Sequence, residues 1–361
     1  SPDSASRSNR RMNMKVAVTG AAGFVGTNLV NQLVADGHDV VAIDRISPAH
    51  GLDHPNVTWT AADIFDHDAM VAAFDGVDTA YHLVAMITLK QKDETAWRVN
   101  TEGVATTARA ALAAGVRRFV HCSSIHSFDQ YTESGTVEET SARSEDPALP
   151  VYDRSKWAGE QELRKVIDEG LDAVICNPTG VYGAVDFGLS RINGMLRDAA
   201  QGKVPLFVEG TFDLVDVRDV ARGLVLAAEK GRTGENYLIG GSDVRLIDAM
   251  RTVATLCGRF RPLFAVPLGV IKAIVPIAEP ISQALGSDLV SRASIAALIA
   301  QPTVDITKAR TELGYEPRPS DETLADLVAF LCDSKQMGSA KPKSGQHFEP
   351  LPVPELSAQA D

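Results

Sequence analysis

Eight residues, Thr19 to Gly26 (TGAAGFVG), join a short apolar run, Lys15 to Val18, to a segment of helical spacing in which Leu29, Val30 and Leu33 share one face. The glycines fall in the pattern GxxGxxG. Gly20 permits a tight turn, Gly23 lets the backbone approach a pyrophosphate, and Gly26 lets the helix pack close to the strand. The first turn of such a helix presents unpaired N–H groups to phosphates. A second apolar strand, Val40 to Ile43, ends in Asp44, 18 residues beyond Gly26. A carboxylate there can accept both hydroxyls of an adenosine ribose, and it repels a 2′-phosphate. Strand, glycine turn, helix and acid-tipped strand describe a dinucleotide-binding unit, with NAD favoured over NADP. Arg45 beside the acid can neutralise a 2′-phosphate and keeps NADP open; a solvated Asp-Arg turn is the non-functional alternative.

The alternation continues along the chain. Val57 to Thr60, Thr79 to Val84, Phe119 to Ser123 and Ala173 to Cys176 read as strands, separated by helices expected over Asp68–Phe74, Glu94–Ala114 and Tyr152–Glu169. Continuous apolar strands between helices predict an α/β fold, a Rossmann-type doubly wound parallel sheet covered on both faces. The nucleotide-binding domain is expected over residues 14–182. From 183 to 335 the regularity weakens, predicting a smaller substrate-binding region with some elements returning to the main sheet. Val204 to Val208 and Asn236 to Ile239 read as strands there. Residues 1–13 and 336–361 are polar or rich in Pro, Ser and Lys, and read as a disordered or added tail and a flexible tail. A ligand is expected at the C-terminal strand ends, between sheet and cap.

Composition narrows the partners. Forty-seven acidic against 35 basic residues leave a net charge of −12, which repels a phosphate backbone and argues against nucleic acid. Cys122, Cys176, Cys257 and Cys332 lie far apart, as free thiols of a cytoplasmic protein do. The most apolar stretch, Pro262 to Leu285, opens on a proline and carries three more, Pro267, Pro276 and Pro280, with two charges, Lys272 and Glu279, and is no candidate for a spanning helix. Residues 1–13 contain no apolar run of a signal peptide. The eight histidines show no metal-ligand spacing, so no metal is expected.

Tyr152-Asp153-Arg154-Ser155-Lys156 is YxxxK opening a helix. Residues i and i+4 share a helical face, so the Lys156 ammonium can stand near the Tyr152 phenol and lower its pKa. Such a tyrosine exchanges a proton while a hydride moves to or from a nicotinamide. Cys122-Ser123-Ser124 ends a strand on the crevice side, where one hydroxyl can orient a substrate oxygen; spacing does not choose between the two serines. Asn100, polar in an apolar stretch, is read as ordering a water or holding Lys156. Asp63 and Ile64 are placed at the adenine, with a helix cap as the alternative for Asp63. Leu83, Val84 and Ala85 offer small or apolar surface where a dinucleotide crosses the sheet.

TGAAGFVG, Asp44, Asp63-Ile64, YHLVA, Asn100, CSSIHSF, YDRSK and NPTGVYG stand in the order of the extended short-chain dehydrogenase/reductases, which the chain resembles from about Met14 to Phe330. The later LVDVRDVARGLVLA and GENYLIGG segments are similar too. The resemblance implies an NAD(P) domain with a small substrate domain, a homodimer packed through two long helices, and an acid/base tyrosine at Tyr152 with its lysine at Lys156. It selects Ser124 as the substrate-orienting serine. With it, the cofactor set extends to Phe24, Val25, Asn100, Cys122, Tyr152, Lys156, Pro178 and Thr179. Substrate is expected at Met86, Ser124, Ile125, His126, Val181 and Tyr182. Sugar-nucleotide members commonly read RxxNVYG in the loop after the sixth strand, with the Asn contacting substrate. Here Gly180 holds the Asn position and Asn177 the Arg position, and Pro262–Leu285 resembles the apolar cap of steroid- and flavonol-type members. The expected reaction is therefore NAD(P)-dependent interconversion of a secondary alcohol and a ketone on an apolar small molecule. The alternative is a nucleotide-sugar epimerase or dehydratase that recycles NAD.

Overall fold

A computed structural model describes residues 13–46, 48, 50–131, 135–204, 206–259, 264–284, 302–338 and 341–352. The glycine turn leads from β1 (Lys15–Thr19) into α1 (Phe24–Ala35), followed by β2 (Asp39–Asp44), β3 (Val57–Ala61), α2 (His67–Ala73) and β4 (Thr79–His82). Next come α3 (Glu94–Asn100), α4 (Glu102–Ala113), β5 (Arg118–Cys122), β6 (Thr136–Val137), α5 (Val151–Asp168), β7 (Ala173–Pro178) and β8 (Gly180–Tyr182). The later part holds α6 (Arg191–Ala200), β9 (Leu206–Val208), β10 (Thr211–Asp216), α7 (Val217–Lys230), β11 (Asn236–Ile239) and β12 (Ser242–Arg245). It ends with α8 (Leu246–Leu256), β13 (Phe264–Val266), α9 (Leu268–Ala284), β14 (Thr303–Val304) and α10 (Ser320–Asp333).

Seven parallel strands form the main sheet in the order β11-β7-β5-β4-β1-β2-β3. β1 lies between β2 and β4, so the chain reverses direction across the sheet there. That opens a crevice at the C-terminal ends of β1 and β4, where such sheets bind ligands. The strands are apolar on both sides because both faces are covered. Val16, Val18, Val120 and Val174 join Leu29 and Leu33 of α1 and Leu224 of α7 on one face. Ala17, Ile43, Phe119 and Ile175 join Met70, Ala108 and Leu163 of α2, α4 and α5 on the other.

Beyond β8 a second core forms from Tyr182, Leu196, Leu214, Ile247, Met250 and Leu327, beside the small sheet β12-β10-β8. β11 returns to pair with β7 at the edge of the main sheet. Of the apolar Pro262–Leu285 stretch, 264–284 are described and form β13 and α9, the helix continuing through Pro276 and Pro280. Among the described residues no helix is long and apolar enough to cross a membrane. Within the segment read as a flexible tail, Met337 is buried, the Gln336 amide donates to Asp186 O, and Phe348 stacks edge-on against Phe330.

The helix expected over Glu94–Ala114 is two helices. Thr101, at φ −119° and ψ −73°, separates α3 from α4. The break lets Asn100 turn inward rather than continue the helical ladder.

Candidate active site

The glycine turn is shaped by contacts that leave no room for side chains. A Cβ at Gly26 would lie 2.1 Å from Gly20 O, and Gly20 itself sits at φ +69° with Val84 N 3.1 Å from its would-be Cβ. Gly23 precedes α1 as its N-cap and offers no side-chain cap, and the first turn of the helix holds no acidic residue. Its first N–H groups and positive end therefore face outward without an anion of the protein's own. Phe24 and Val25 form that first turn. The Asp44 carboxylate accepts from Ala22 N at 3.0 Å and Arg45 N at 2.8 Å, holding the acid against the turn with lone pairs to spare for ribose hydroxyls. Leu83 and Val84 flank Gly20 across the crevice, and Ala85 is exposed beside them. These residues fit a dinucleotide: a pyrophosphate at the turn and a ribose at Asp44.

Two expected adenine contacts divide. Asp63 is exposed and its carboxylate accepts from Phe65 N at 3.0 Å, a local turn. Ile64 is buried, filling the space above Gly103, whose Cβ would meet it at 2.5 Å.

Tyr152 and Lys156 lie one turn apart at the start of α5. Lys156 is buried, and its ammonium donates to Cys122 O at 3.2 Å. Tyr152 hydrogen-bonds to Ser124. The two serines separate clearly. Ser123 Oγ donates inward to Glu160 at 2.6 Å, whereas Ser124 Oγ stays at the tyrosine and accepts from His126 N at 3.2 Å. Of the two, Ser124 is the one whose hydroxyl is not donated to Glu160.

The expected lowering of the Tyr152 pKa by Lys156 is not what the structure shows, for the phenol is raised and Lys156 is not among the groups that shift it. Burial raises the phenol well above its ordinary value, the Ser124 hydrogen bond opposes this, and Cys122 and Asp153 raise it further. Burial likewise lowers Lys156, with Cys122 and the Glu160 carboxylate acting in the opposite direction. Burial thus favours the neutral form of both groups.

Asn100 does not hold Lys156. Its amide accepts from Met86 N at 2.9 Å and donates to Met86 O at 3.0 Å and to Ser155 Oγ at 2.9 Å. It fastens the loop after β4 to α5. Gly159, not singled out from the sequence, makes this possible: its Cβ would lie 2.1 Å from Asn100 O.

Substrate candidates also divide. His126 stands at the site, its ring centroid 5.3 Å from that of Tyr152 and its Nδ1 3.3 Å from Asp153 Oδ2. Met86 and Val181 are half-buried. Ile125, 5% exposed, and Tyr182, 1% exposed, are core residues instead. The 3-10 turn after β5 rolls Ile125 into the sheet's core, and the register of β8 sends Tyr182 into the second core, where its hydroxyl meets Thr323. Thr179, expected at the cofactor, gives its hydroxyl to Asp213 at 2.6 Å, and Pro178 is buried as the last residue of β7.

Beneath the serines lies a polar cluster that spacing did not reveal: Glu160, Arg143, Asn177 and Asn236, drawn from α5, the preceding loop, β7 and β11. Only Asn177 carried a signal, as a departure from the RxxNVYG pattern.

Comparison with known proteins agrees with this geometry. The profile of the NAD dependent epimerase/dehydratase family matches residues 16–240. The chain is 32% identical over 323 residues to sterol demethylase protein B of Methylococcus capsulatus, covering 88% of this chain and 98% of the relative. It is 28% identical to a 3-beta-hydroxysteroid dehydrogenase of Mycolicibacterium neoaurum, covering 88% and 92%. Among solved structures, MoeE5 in complex with UDP-glucose and NAD superposes with a TM-score of 0.69 at 26% identity, covering 89% of this chain and 99% of that one. The chain belongs to the NAD-dependent epimerase/dehydratase family, the extended short-chain dehydrogenase/reductases, as an NAD(P)-dependent oxidoreductase.

Proposed function

We propose that the protein interconverts a secondary alcohol and a ketone on an apolar small molecule, with net transfer of a hydride to or from NAD. NAD, when bound, supplies the hydride acceptor and a positive nicotinamide. Ser124 Oγ holds the substrate oxygen, and Tyr152 Oη takes the alcohol proton or returns it. Lys156 supplies the positive charge that, with the nicotinamide, offsets the upward pull of burial on the phenol. Met86, His126 and Val181 face the substrate. The resemblance to homodimers joined through two long helices supports a dimer. The four free thiols support a reducing compartment, the cytoplasm.

One observation carries the choice of net redox. At Gly180, where sugar-nucleotide relatives place a substrate-binding asparagine, a Cβ would meet Leu214 Cδ2 at 2.6 Å, Asp213 O at 3.2 Å and Ile192 Cδ1 at 3.5 Å. The Leu214 side chain crowds the place of a polar anchor. The 3-beta-hydroxysteroid dehydrogenase relative supports the same direction, while the UDP-glucose-bound neighbour stands for the alternative, epimerisation with recycled NAD.

The test is to denature freshly purified, dialysed protein and measure the nucleotides released. An empty or exchangeable site is expected of a net dehydrogenase. Stoichiometric NAD that survives dialysis, as a cofactor recycled in place requires, would overturn the proposal in favour of epimerisation.

A further inference from the structure

We propose that Arg143, Glu160 and Asn177 form a positioning unit that aims Ser124 at Tyr152, in which Arg143 delivers from the loop before α5 the guanidinium that the RxxNVYG pattern would place at position 177. The inference rests on Ser124 and Tyr152 being the reacting pair proposed above.

Glu160 lies one turn beyond Lys156 on the same face of α5, and its side chain is 0% exposed. Each carboxylate oxygen accepts two hydrogen bonds. Oε1 accepts from Ser123 Oγ at 2.6 Å and Asn177 Nδ2 at 2.7 Å; Oε2 accepts from Asn236 Nδ2 at 2.9 Å and Arg143 at 3.0 Å. A carboxylate this deep is tolerated only because every acceptor site is used and a cation is paired with it. With four donors on it, its direction is fixed.

That fixed carboxylate anchors the segment bearing Ser124. Ser123 is tied to it directly. Asn177 Nδ2 is also within bonding reach of Ser124 O and of Ser127 Oγ, each at 3.0 Å, and Arg143 donates to Ser127 Oγ at 3.2 Å. Three of the five residues from 123 to 127 are pinned, with the serine in the middle. Asn177 reaches Glu160 but brings no charge. Arg143 brings it, its guanidinium clamped 3.9 Å from the Phe128 ring centroid and 4.5 Å from that of Trp157. The planar cation is thereby fixed in direction as well as in place. The unit acts on catalysis only through Ser124.

The experiment is carbon-13 NMR of the full chain saturated with NAD and labelled at tyrosine Cζ. The chain has six tyrosines, and Tyr152→Phe identifies the Tyr152 signal. Losing the aim of Ser124 removes the hydrogen bond that favours the phenolate. Arg143→Met is therefore expected to raise the Tyr152 midpoint by about one pH unit at unchanged NAD affinity. Arg143→Lys keeps the charge but not the planar fork; it is expected to give an intermediate rise and serves if Arg143→Met does not fold. An unmoved midpoint in a folded, NAD-binding Arg143 variant overturns the proposal alone. A wild-type Tyr152 that does not titrate below the ordinary tyrosine range takes the acid/base reading down with it.

Discussion

Asp153 shows how much one residue adds to a motif that names only its neighbours. It follows Tyr152, is buried, and faces the imidazole of His126. Burial draws the His126 pKa down, but the Asp153 carboxylate 3.3 Å away outweighs this and leaves it raised above the ordinary imidazole value. Lys156 opposes weakly. A histidine raised on folding stabilises the folded chain fully below its unfolded pKa, and the contribution is lost as pH rises through the folded value. Asp153→Asn should therefore destabilise the protein more at about pH 5.5 than at about pH 8.5, as urea unfolding at the two pH values would show; equal losses would contradict the pairing. At this scale the sequence was legible where chemistry lies along one helix. Tyr152 and Lys156 are four residues apart, and no folding is needed to bring them together. Ile125 and Tyr182 were misread because the direction of a side chain at a strand end depends on local turn and register. Arg143 and Glu160 were not legible as partners, since four separate elements build their cluster.

Between elements the determining contact is the approach of α3 to α5. Gly159 allows the carbonyl of Asn100 to sit where a Cβ would stand, and Asn100 then links Met86 to Ser155. Backbone cannot yield as a flexible side chain can. Gly159→Ala should cost about 2 kcal/mol of stability and loosen α5, measurable as a lower denaturant midpoint; a variant as stable as wild type would show that the helices separate freely. The alternation of strands and helices was readable because a parallel sheet buried on both faces leaves continuous apolar runs. The break at Thr101 was not. It coincides with the tertiary contacts of Asn100 to Met86 and Ser155, and apolar periodicity through Glu94–Ala114 carries no trace of it.

For the whole molecule, the switch between β2-β1 and β4 opens the crevice in which the proposed nucleotide crosses the sheet, and we propose that Asp44 selects which nucleotide. A ligand bound only by the folded state at a hundred times its Kd adds about 2.7 kcal/mol of stability. At equal concentration NAD should raise the melting temperature more than NADP, by differential scanning calorimetry, because Asp44 repels the 2′-phosphate. An equal or larger rise with NADP would show that Arg45 prevails. The strand order and the return of β11 beside β7 could not be read from local pattern, which records periods and not neighbours.

The central claim is that Tyr152 moves the proton in a net oxidation. Its most direct measurement is NADH formed at 340 nm from NAD and a panel of 3β-hydroxysteroids and aryl secondary alcohols, with ketone quantified alongside, for wild type and Tyr152→Phe. The account predicts one NADH per ketone, and a rate lowered about a thousandfold in Tyr152→Phe while NAD binding persists. Undiminished turnover in that variant, or UDP-glucose epimerised without net NADH while every alcohol in the panel is left untouched, would contradict it.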